Sequence, residues 1–250
     1  VLRRHSSVPV TTNFMVTAHI RNLDYWQWAP EMDVVANDHY LDNRLADPTA
    51  ELAFASDLTR GLAGGGAWLL MEQSTGAVNW QPYNLAKAPG EMTRNSLTHV
   101  AKGAEAICFF QWLASLQGSE KFHSALLPHA GTDSDVWREV VELGGTLDRL
   151  DEITGTRVQA DVALLFSWEN WWAADGESRP THAIDHLSQV HAVHASLRRL
   201  GHTVDVVRPG ADLSAYRLVV VPNLYLVRDS EAAVVSDFVA AGGHAVVTFF

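Results

Sequence analysis

Glu72 is the residue whose position in this sequence most strongly suggests chemistry. It follows the apolar run Trp68-Leu69-Leu70-Met71, which is typical of a buried strand. A carboxylate at the end of such a strand serves as a nucleophile, as a general base, or as one partner of a structural salt bridge. The side chains that follow are hydrogen-bonding or stacking groups of the kind that bind hydroxyl-rich substrates. They are Gln73, Asn79, Trp80, Gln81 and Asn84.

A second group of polar residues follows the next predicted strand. Glu120 and His123 are three residues apart, so one turn of helix would bring them to the same ligand, although an exposed helical turn produces the same spacing. Four histidines cluster further along, at positions 182, 186, 191 and 194. At about 100° per residue no three of them share a helix face. We therefore predict no metal site, and because no phosphate-binding or dinucleotide-binding motif is present, no cofactor.

Nine tryptophans occur in the 250 residues, and several of them cluster near predicted strand ends. Each one fits equally well as aromatic mass in the core. Near a strand end, however, an indole ring also offers the flat apolar surface on which the C–H face of a sugar packs.

The first part of the chain alternates apolar strands with helical patterns, which favours a parallel sheet with helices outside. The predicted strands are 8–14, 32–36, 68–71 and 106–110, and the predicted helices are 47–62, 92–102 and 134–150. Every strand has polar residues at its carboxyl end, where a (β/α)₈ barrel builds its active site. We predict that residues 1–152 form the C-terminal half of a TIM barrel.

The pattern restarts after residue 152. Residues 158–166 contain a strand, and 184–200 form a helix that ends at Gly201. Strands 203–207 and 218–221, helix 231–241 and a buried strand 245–249 follow. This order predicts a flavodoxin-like, doubly wound α/β domain over residues 153–250, incomplete at its C-terminus. We expect the chain to be an internal piece of a longer protein, since it starts without Met and ends on a strand.

Composition excludes several classes of protein. The formal net charge of −11 argues against a nucleic-acid partner, which would need a clustered basic surface. No run of eighteen apolar residues is present, so we predict no membrane span. The single cysteine, Cys108, argues against a disulfide scaffold and favours a reducing compartment, so we expect a cytoplasmic protein.

Several motifs occur in a specific order along nearly the whole chain. They are TTNFM at 11–15, DYWQWA at 24–29, MEQ at 71–73, NWQ at 79–81, KAPG at 87–90, FQW at 110–112, EKFH at 120–123 and FSWENWWA at 166–173. Together they resemble glycoside hydrolase family 42, the β-galactosidases.

The resemblance implies retaining hydrolysis of terminal, non-reducing β-D-galactosyl residues through a galactosyl-enzyme intermediate. Glu72 matches the nucleophile of the family. Trp80 would stack on the galactose, and Glu120 and His123 would bind its hydroxyls. Tyr25 resembles the residue that contacts the nucleophile. The substrate expected from the resemblance is a β-galactoside such as lactose or a galacto-oligosaccharide.

The family's acid/base glutamate follows an asparagine, and no Asn-Glu dipeptide occurs in this chain. We therefore expect the chain alone to be inactive. The second domain resembles the family's trimerisation domain, which implies a homotrimer. Two alternatives stay open. One is a related retaining glycosidase, such as a β-fucosidase or an α-L-arabinopyranosidase, and the other is a non-catalytic sugar-binding or assembly module.

Overall fold

A computed structural model describes residues 1–16, 20–179, 181–183 and 185–249. The described part of the first region is a four-stranded parallel sheet in the order β1-β2-β3-β4. Its strands are β1 (Asn13–Phe14), β2 (Ala36–Asp38), β3 (Trp68–Glu72) and β4 (Ala104–Ile107). The helices are α1 (Tyr25–Trp28), α2 (Pro48–Leu62), α3 (Glu91–Ala101) and α4 (Asp135–Asp148). Strands that are consecutive in sequence are neighbours in the sheet, as in a (β/α)₈ barrel.

The second region is also a four-stranded parallel sheet, in the order β6-β5-β7-β8. Its strands are β5 (Val162–Leu165), β6 (Val204–Val207), β7 (Leu218–Val221) and β8 (His244–Val247). The helices are α5 (Trp168–Ala174), α6 (His186–Arg199) and α7 (Asp229–Ala240). The chain reverses its direction across the sheet on the two sides of β5, which is the flavodoxin-like order. The predicted fold class is confirmed.

Local sequence accounts for the start of several helices. Asp47 caps α2 by accepting a hydrogen bond from the backbone N–H of Ala50, and Pro48 occupies the first turn. Ser134 caps α4 and Asp185 caps α6 in the same way. The predicted first residue of α6, Ile184, lies outside the described residues. Among the described residues, no helix is long and apolar enough to cross a membrane.

One hydrophobic core joins the two sheets. It contains Phe54, Leu58 and Leu62 of α2 together with Val204 and Val206 of β6. Helix α2 therefore lies between both sheets and is buried along most of its length. The approach is so close that a Cβ atom at Gly61 would collide with the carbonyl oxygen of Val206, so only glycine fits there.

A buried ionic cluster lies at the same contact. Arg60 is 1% exposed and binds Asp57 at 2.5 Å and Asp205 at 2.9 Å. Asp57 also binds His194 at 2.9 Å and Lys102 at 2.8 Å. Burial acts to raise the pKa of Asp57, but the hydrogen bond with His194 and the positive charges outweigh it, so the pKa lies below its usual value. Each charge of the pair Arg60–Asp57 is thus compensated.

Several predicted element bounds are wrong. Strand β1 contains only Asn13 and Phe14 of the predicted 8–14, and α1 lies in a segment for which no helix was predicted. Strand β2 begins at Ala36, where the predicted strand ended, and β4 ends at Ile107 instead of residue 110. Strand β8 was predicted to be buried, but it forms the edge of its sheet, and Val247 is 65% exposed.

Candidate active site

Glu72 is the last residue of β3, and the register of the sheet pairs it with Asp38 on β2. The hydroxyl of Tyr40 donates to Glu72 Oε2 at 2.6 Å. On the other side, the Asn13 amide nitrogen lies 3.4 Å from Glu72 Oε1. Three neighbouring strands therefore contribute to the surroundings of one carboxylate, as the common carboxyl edge of a parallel sheet requires.

The electrostatics of this group differ from those of ordinary surface residues. Burial raises the pKa of Asp38 to about 7, and the charge of Glu72 adds to the shift, although the hydrogen bond from Asn13 opposes it. Burial and the hydrogen bond to Glu72 also raise the pKa of the Tyr40 hydroxyl, which therefore stays protonated and remains a donor at neutral pH.

Tyr25, predicted to contact the nucleophile, makes no hydrogen bond with Glu72 in the part of the chain that the structure describes. Its ring is 2% exposed and stacks on Phe14 at a centroid distance of 4.5 Å. Its hydroxyl accepts a hydrogen bond from the backbone N–H of Met15. The tyrosine that binds Glu72 is Tyr40, which the sequence analysis missed. Its position, two residues after the polar end of β2, was the available signal.

Trp80, Glu120 and His123 surround the same tyrosine. The rings of Trp80 and His123 pack edge-on against Tyr40, with centroid distances of 5.3 Å and 5.8 Å. The Glu120 carboxylate is close enough that its charge helps to raise the pKa of Tyr40, after burial and the effects of Glu72 and Asp38. The structure thus places Glu72, Trp80, Glu120 and His123 around one point.

Two polar atoms of this group are buried and unpaired. Glu120 Oε2 and His123 Nε2 have no hydrogen-bond partner among the residues that the structure describes. The other ring nitrogen, His123 Nδ1, binds the carbonyl oxygen of Ser124 at 2.9 Å, which fixes the orientation of the imidazole. Unpaired buried polar atoms are costly, so atoms of this kind indicate a place where a ligand or water binds.

The amides interpreted as sugar-binding groups also bind protein atoms. Asn79 Nδ2 donates to the carbonyl oxygen of Ser119 at 2.6 Å, and Asn84 Nδ2 donates to that of Phe122 at 2.9 Å. The two amides therefore tie the loop after β3 to the backbone on both sides of Glu120. Each of these donors is used to connect loops, although Asn79 Oδ1 is buried without a partner in the described structure.

Gln81 and Gln73 also bind protein atoms. Gln81 Nε2 donates to the carbonyl oxygens of Tyr40 and Leu41 at 3.3 Å and 3.4 Å, which ties the Trp80 loop to the loop after β2. Gln73 is 3% exposed and donates to the hydroxyl of Ser96 at 2.8 Å. Each of these four amides therefore donates to a protein atom near the candidate site.

Lys87 fastens the segment directly after β3. Its ammonium group donates to the carbonyl oxygen and the hydroxyl of Ser74, each at 2.6 Å. Burial lowers the pKa of Lys87 to about 8, against the opposing charges of Glu91 and Glu139. The lysine of the KAPG motif is therefore a structural link within the loop that carries Trp80.

Two histidines of the second region bind protein side chains. His194 binds Asp57, and His186 binds Asn223, each at 2.9 Å. Within the described ranges, no three His, Cys, Asp or Glu residues are grouped closely enough to hold a metal ion.

Two family models match this chain. One, described as β-galactosidase of glycoside hydrolase family 42, matches residues 1–150. The other, described as a β-galactosidase trimerisation domain, matches residues 160–250.

Curated relatives and solved structures are similar along the same length. A β-galactosidase from Arthrobacter sp is 50% identical over 98% of this chain and 35% of its own length. β-Galactosidase BgaB from Geobacillus kaustophilus is 42% identical over 97% of this chain and 36% of its own length. The crystal structure of a β-galactosidase from Bacillus circulans sp. alkalophilus superposes with a TM-score of 0.94 at 41% identity, covering 100% of this chain and 37% of that one. This chain therefore spans little more than a third of the proteins it matches.

Proposed function

The chain belongs to the β-galactosidases of glycoside hydrolase family 42, and on that premise we propose that the protein containing it is a retaining β-galactosidase with Glu72 as its nucleophile. The observation that carries the proposal is the position of Glu72 at the carboxyl end of β3, bound by Tyr40 at 2.6 Å and lying 3.4 Å from the Asn13 amide. Strand ends hold a carboxylate more rigidly than loops do, and a nucleophile requires fixed geometry.

In the proposed reaction a Glu72 oxygen attacks the anomeric carbon of the galactosyl residue. The glycosidic C–O bond breaks, and a second carboxylic acid about 5–5.5 Å away protonates the departing oxygen. The same group then takes a proton from water, which attacks the anomeric carbon and releases galactose and free Glu72. We propose that this acid/base residue lies outside the 250 residues of this chain, because the motif expected for it is absent.

The roles proposed for the neighbouring residues follow from their exposure and unpaired atoms. Trp80 is 47% exposed, which leaves indole surface for the C–H face of a sugar. Glu120 Oε2 and His123 Nε2 are available for two sugar hydroxyls. A pocket that leaves polar atoms unpaired when a hydroxyl is missing discriminates strongly between sugars.

The wider organisation is part of the same proposal. We divide the chain into half of a catalytic barrel at 1–152 and a trimerisation domain at 153–250. The second family match supports a homotrimer. The proposed substrate is lactose or a galacto-oligosaccharide, and the proposed location is the cytoplasm.

A mechanism-based label tests this proposal. The full-length protein is incubated with 2-deoxy-2-fluoro-β-D-galactosyl fluoride, digested and examined by mass spectrometry. We expect one added fluorogalactosyl group on the peptide that contains Glu72, and none in the matched variant Glu72→Gln. A folded protein that takes no label from this reagent, but takes one from the corresponding fucosyl or arabinosyl fluoride, would show that the sugar is wrong and the nucleophile right. No label from any of them would overturn the proposal.

A further inference from the structure

Asp38 is a buried carboxyl group beside Glu72 that the proposed reaction does not use. It is 8% exposed and ends β2, directly opposite Glu72 in the register. The register shifts between Asn37 and Asp38, so the pairing with β3 is irregular at this residue. Irregularities of this kind re-aim a side chain next to an active site.

Asn13 connects the two carboxylates. Its Nδ2 atom lies 3.0 Å from both Asp38 oxygens and 3.4 Å from Glu72 Oε1. An amide nitrogen carries two hydrogens. One hydrogen shared by the Asp38 oxygens leaves the other for Glu72, so the carboxylate of Asp38 determines where the second N–H of Asn13 points.

The same arrangement argues against Asp38 as the acid that protonates a leaving group. The amide nitrogen of Asn13 is within hydrogen-bonding distance of both carboxylates and so occupies the near side of Asp38. Both hydrogen bonds that the Asp38 side chain accepts in the described structure come from Asn13. Asp38 therefore acts on Glu72 through another residue.

We propose that Asp38 is a positioning residue, which holds the Asn13 amide against Glu72 Oε1 while Tyr40 holds Oε2. The inference rests on the proposed role of Glu72 as the nucleophile. With both oxygens held, the carboxylate has one orientation toward the anomeric carbon, and a misplacement of about 1 Å costs up to roughly 100-fold in rate.

The protonation state of Asp38 is consistent with its role in positioning Glu72. The titratable groups that act on or respond to Asp38 are Glu72, Tyr25 and Tyr40. Because the pKa of Asp38 is raised to about 7 by burial, its carboxyl changes protonation near neutral pH. The protonated form has one oxygen that no longer accepts freely from Asn13, so the hold on Glu72 weakens as the pH falls through about 7.

The rate of labelling by 2-deoxy-2-fluoro-β-D-galactosyl fluoride, measured from pH 5 to 8 on the full-length protein, tests the proposal. In this step the bond from Glu72 to the anomeric carbon forms, the C–F bond breaks, and fluoride leaves with the electron pair. No proton is donated, so the acid/base residue does not contribute. We expect the wild-type rate to fall as the pH falls through about 7. Asp38→Asn should label about 10- to 100-fold more slowly and lose this dependence.

Asp33→Asn is the matched control. Asp33 precedes the opposite end of β2, is exposed, and accepts hydrogen bonds from Arg3 and from the backbone N–H of Val10. Its variant should label as the wild type does at every pH. Asn13→Ser is a second variant at an exposed position, so it keeps the test decisive if Asp38→Asn does not fold, and it should also label slowly.

The outcomes separate this inference from the function on which it rests. A wild type that takes no label overturns the proposed function and this inference with it. A labelled wild type with Asp38→Asn or Asn13→Ser reacting at the wild-type rate overturns the inference alone. If Asp38→Asn labels normally but hydrolyses aryl galactosides with poor leaving groups much more slowly, Asp38 is the proton donor and the positioning role is wrong.

Discussion

The carboxyl edge of the first sheet and that of the second both carry polar side chains, but the two sets have different partners. At the first edge, the two oxygens of Glu72 face a hydroxyl and an amide from neighbouring strands. Glu120 Oε2 and His123 Nε2 are buried there without partners in the described structure. This edge therefore leaves polar atoms available for something that is not protein.

At the second edge the polar side chains bind one another. Asn170 is completely buried, and its Oδ1 accepts hydrogen bonds from the backbone N–H groups of Tyr225 and Leu226 at 2.5 Å and 2.9 Å. His186 Nδ1 lies 2.9 Å from both Asn170 Nδ2 and Asn223 Oδ1. These side chains follow β5 and β7, the two strands between which a doubly wound sheet of this order has its crevice.

The difference shows that position in a fold does not make a site. Both edges are places where parallel sheets bind ligands. In the second sheet Asn170, His186 and Asn223 bind one another or nearby backbone groups and so hold the loops after β5 and β7 together, although Asn223 Nδ2 is buried there without a partner in the described structure. In the first sheet part of the capacity is unused, and unused capacity near a fixed carboxylate is what a substrate requires.

The strongest test of this comparison is Glu72→Gln in the full-length protein. We expect kcat to fall by roughly 10⁴-fold or more, since an amide cannot form the glycosyl-enzyme bond. The substitution is isosteric, so the melting temperature should change little. Steady-state kinetics together with a thermal melt measure both effects. Near-normal turnover would remove Glu72 from the mechanism.

Asn170→Ala should lower the stability of the protein and leave its turnover unchanged, the reverse of the result expected for Glu72→Gln. It removes the completely buried Oδ1 acceptor of two partly buried backbone hydrogen bonds, from Tyr225 and Leu226, and each hydrogen bond lost in this way costs about 1–3 kcal/mol. We expect the free energy of unfolding to fall by about 3 kcal/mol, with kcat per folded molecule unchanged. Denaturant titration and active-site labelling of the folded fraction check the two parts. A normal stability with lost activity would mean that the second edge is functional.

Trp80→Ala should reduce kcat/KM by about 10- to 100-fold, because stacking of an aromatic ring on the substrate is lost. Trp172→Ala is the matched control, since that indole is 40% exposed, compared with 47% for Trp80, but lies in the second region on α5. Its kcat/KM should stay within about twofold of wild type. Equal losses in both variants would show that Trp80 acts through general packing and not through the sugar.

The smallest expected effect is a dependence of stability on pH. Burial lowers the pKa of His186, against the opposing hydrogen bond with Asn223, and burial also lowers the pKa values of His99 and His191. The unfolded chain binds protons at these positions below about pH 6.5 while the folded protein does not, so stability falls as the pH falls through that value.

Denaturant titrations from pH 7.5 to 5.5 measure this dependence. Each histidine contributes at most about 1.4 kcal/mol per pH unit. His186→Gln should reduce the slope and leave the pH profile of Glu72 labelling unchanged, because His186 belongs to the second edge. An unchanged slope would contradict the buried neutral state of His186.

Much of the architecture could be predicted because its signals are local. The apolar run before Glu72 became β3, and Asp47-Pro48 started α2 at the predicted residue. The bounds of β2 could not be predicted in this way. The apolar pattern predicts a strand at 32–36, but pairing with β1 and β3 begins only at Ala36 and continues through two polar residues. Hydrophobic pattern does not specify which residues of a segment are paired.

The candidate site could be predicted in part, because the motifs that mark its residues are also local in the sequence. Glu72, Trp80, Glu120 and His123 were recognised by the motifs around them, and the structure groups them. The protein contacts of the amides could not be predicted, because a sequence does not show that an asparagine donates to a carbonyl 40 residues away, as Asn79 does. Tyr25 and Tyr40 both follow strands, and their sequence neighbourhoods do not reveal which ring turns toward β3.

The sequence by itself determined the two α/β regions, the strand that ends in Glu72 and the family. Hydrophobic periodicity and helix caps depend on residues that are close together in the chain, and the order of the motifs is visible in the sequence itself. Tertiary structure alone decided that Tyr40, Asn13 and Asp38 surround Glu72 and that Asn170 and His186 close the second edge. These contacts join residues that are distant in the chain, and they depend on strand register and loop path. Register depends on which strand faces are buried against the rest of the fold and on the connections between strands, and no single segment of the sequence contains that information.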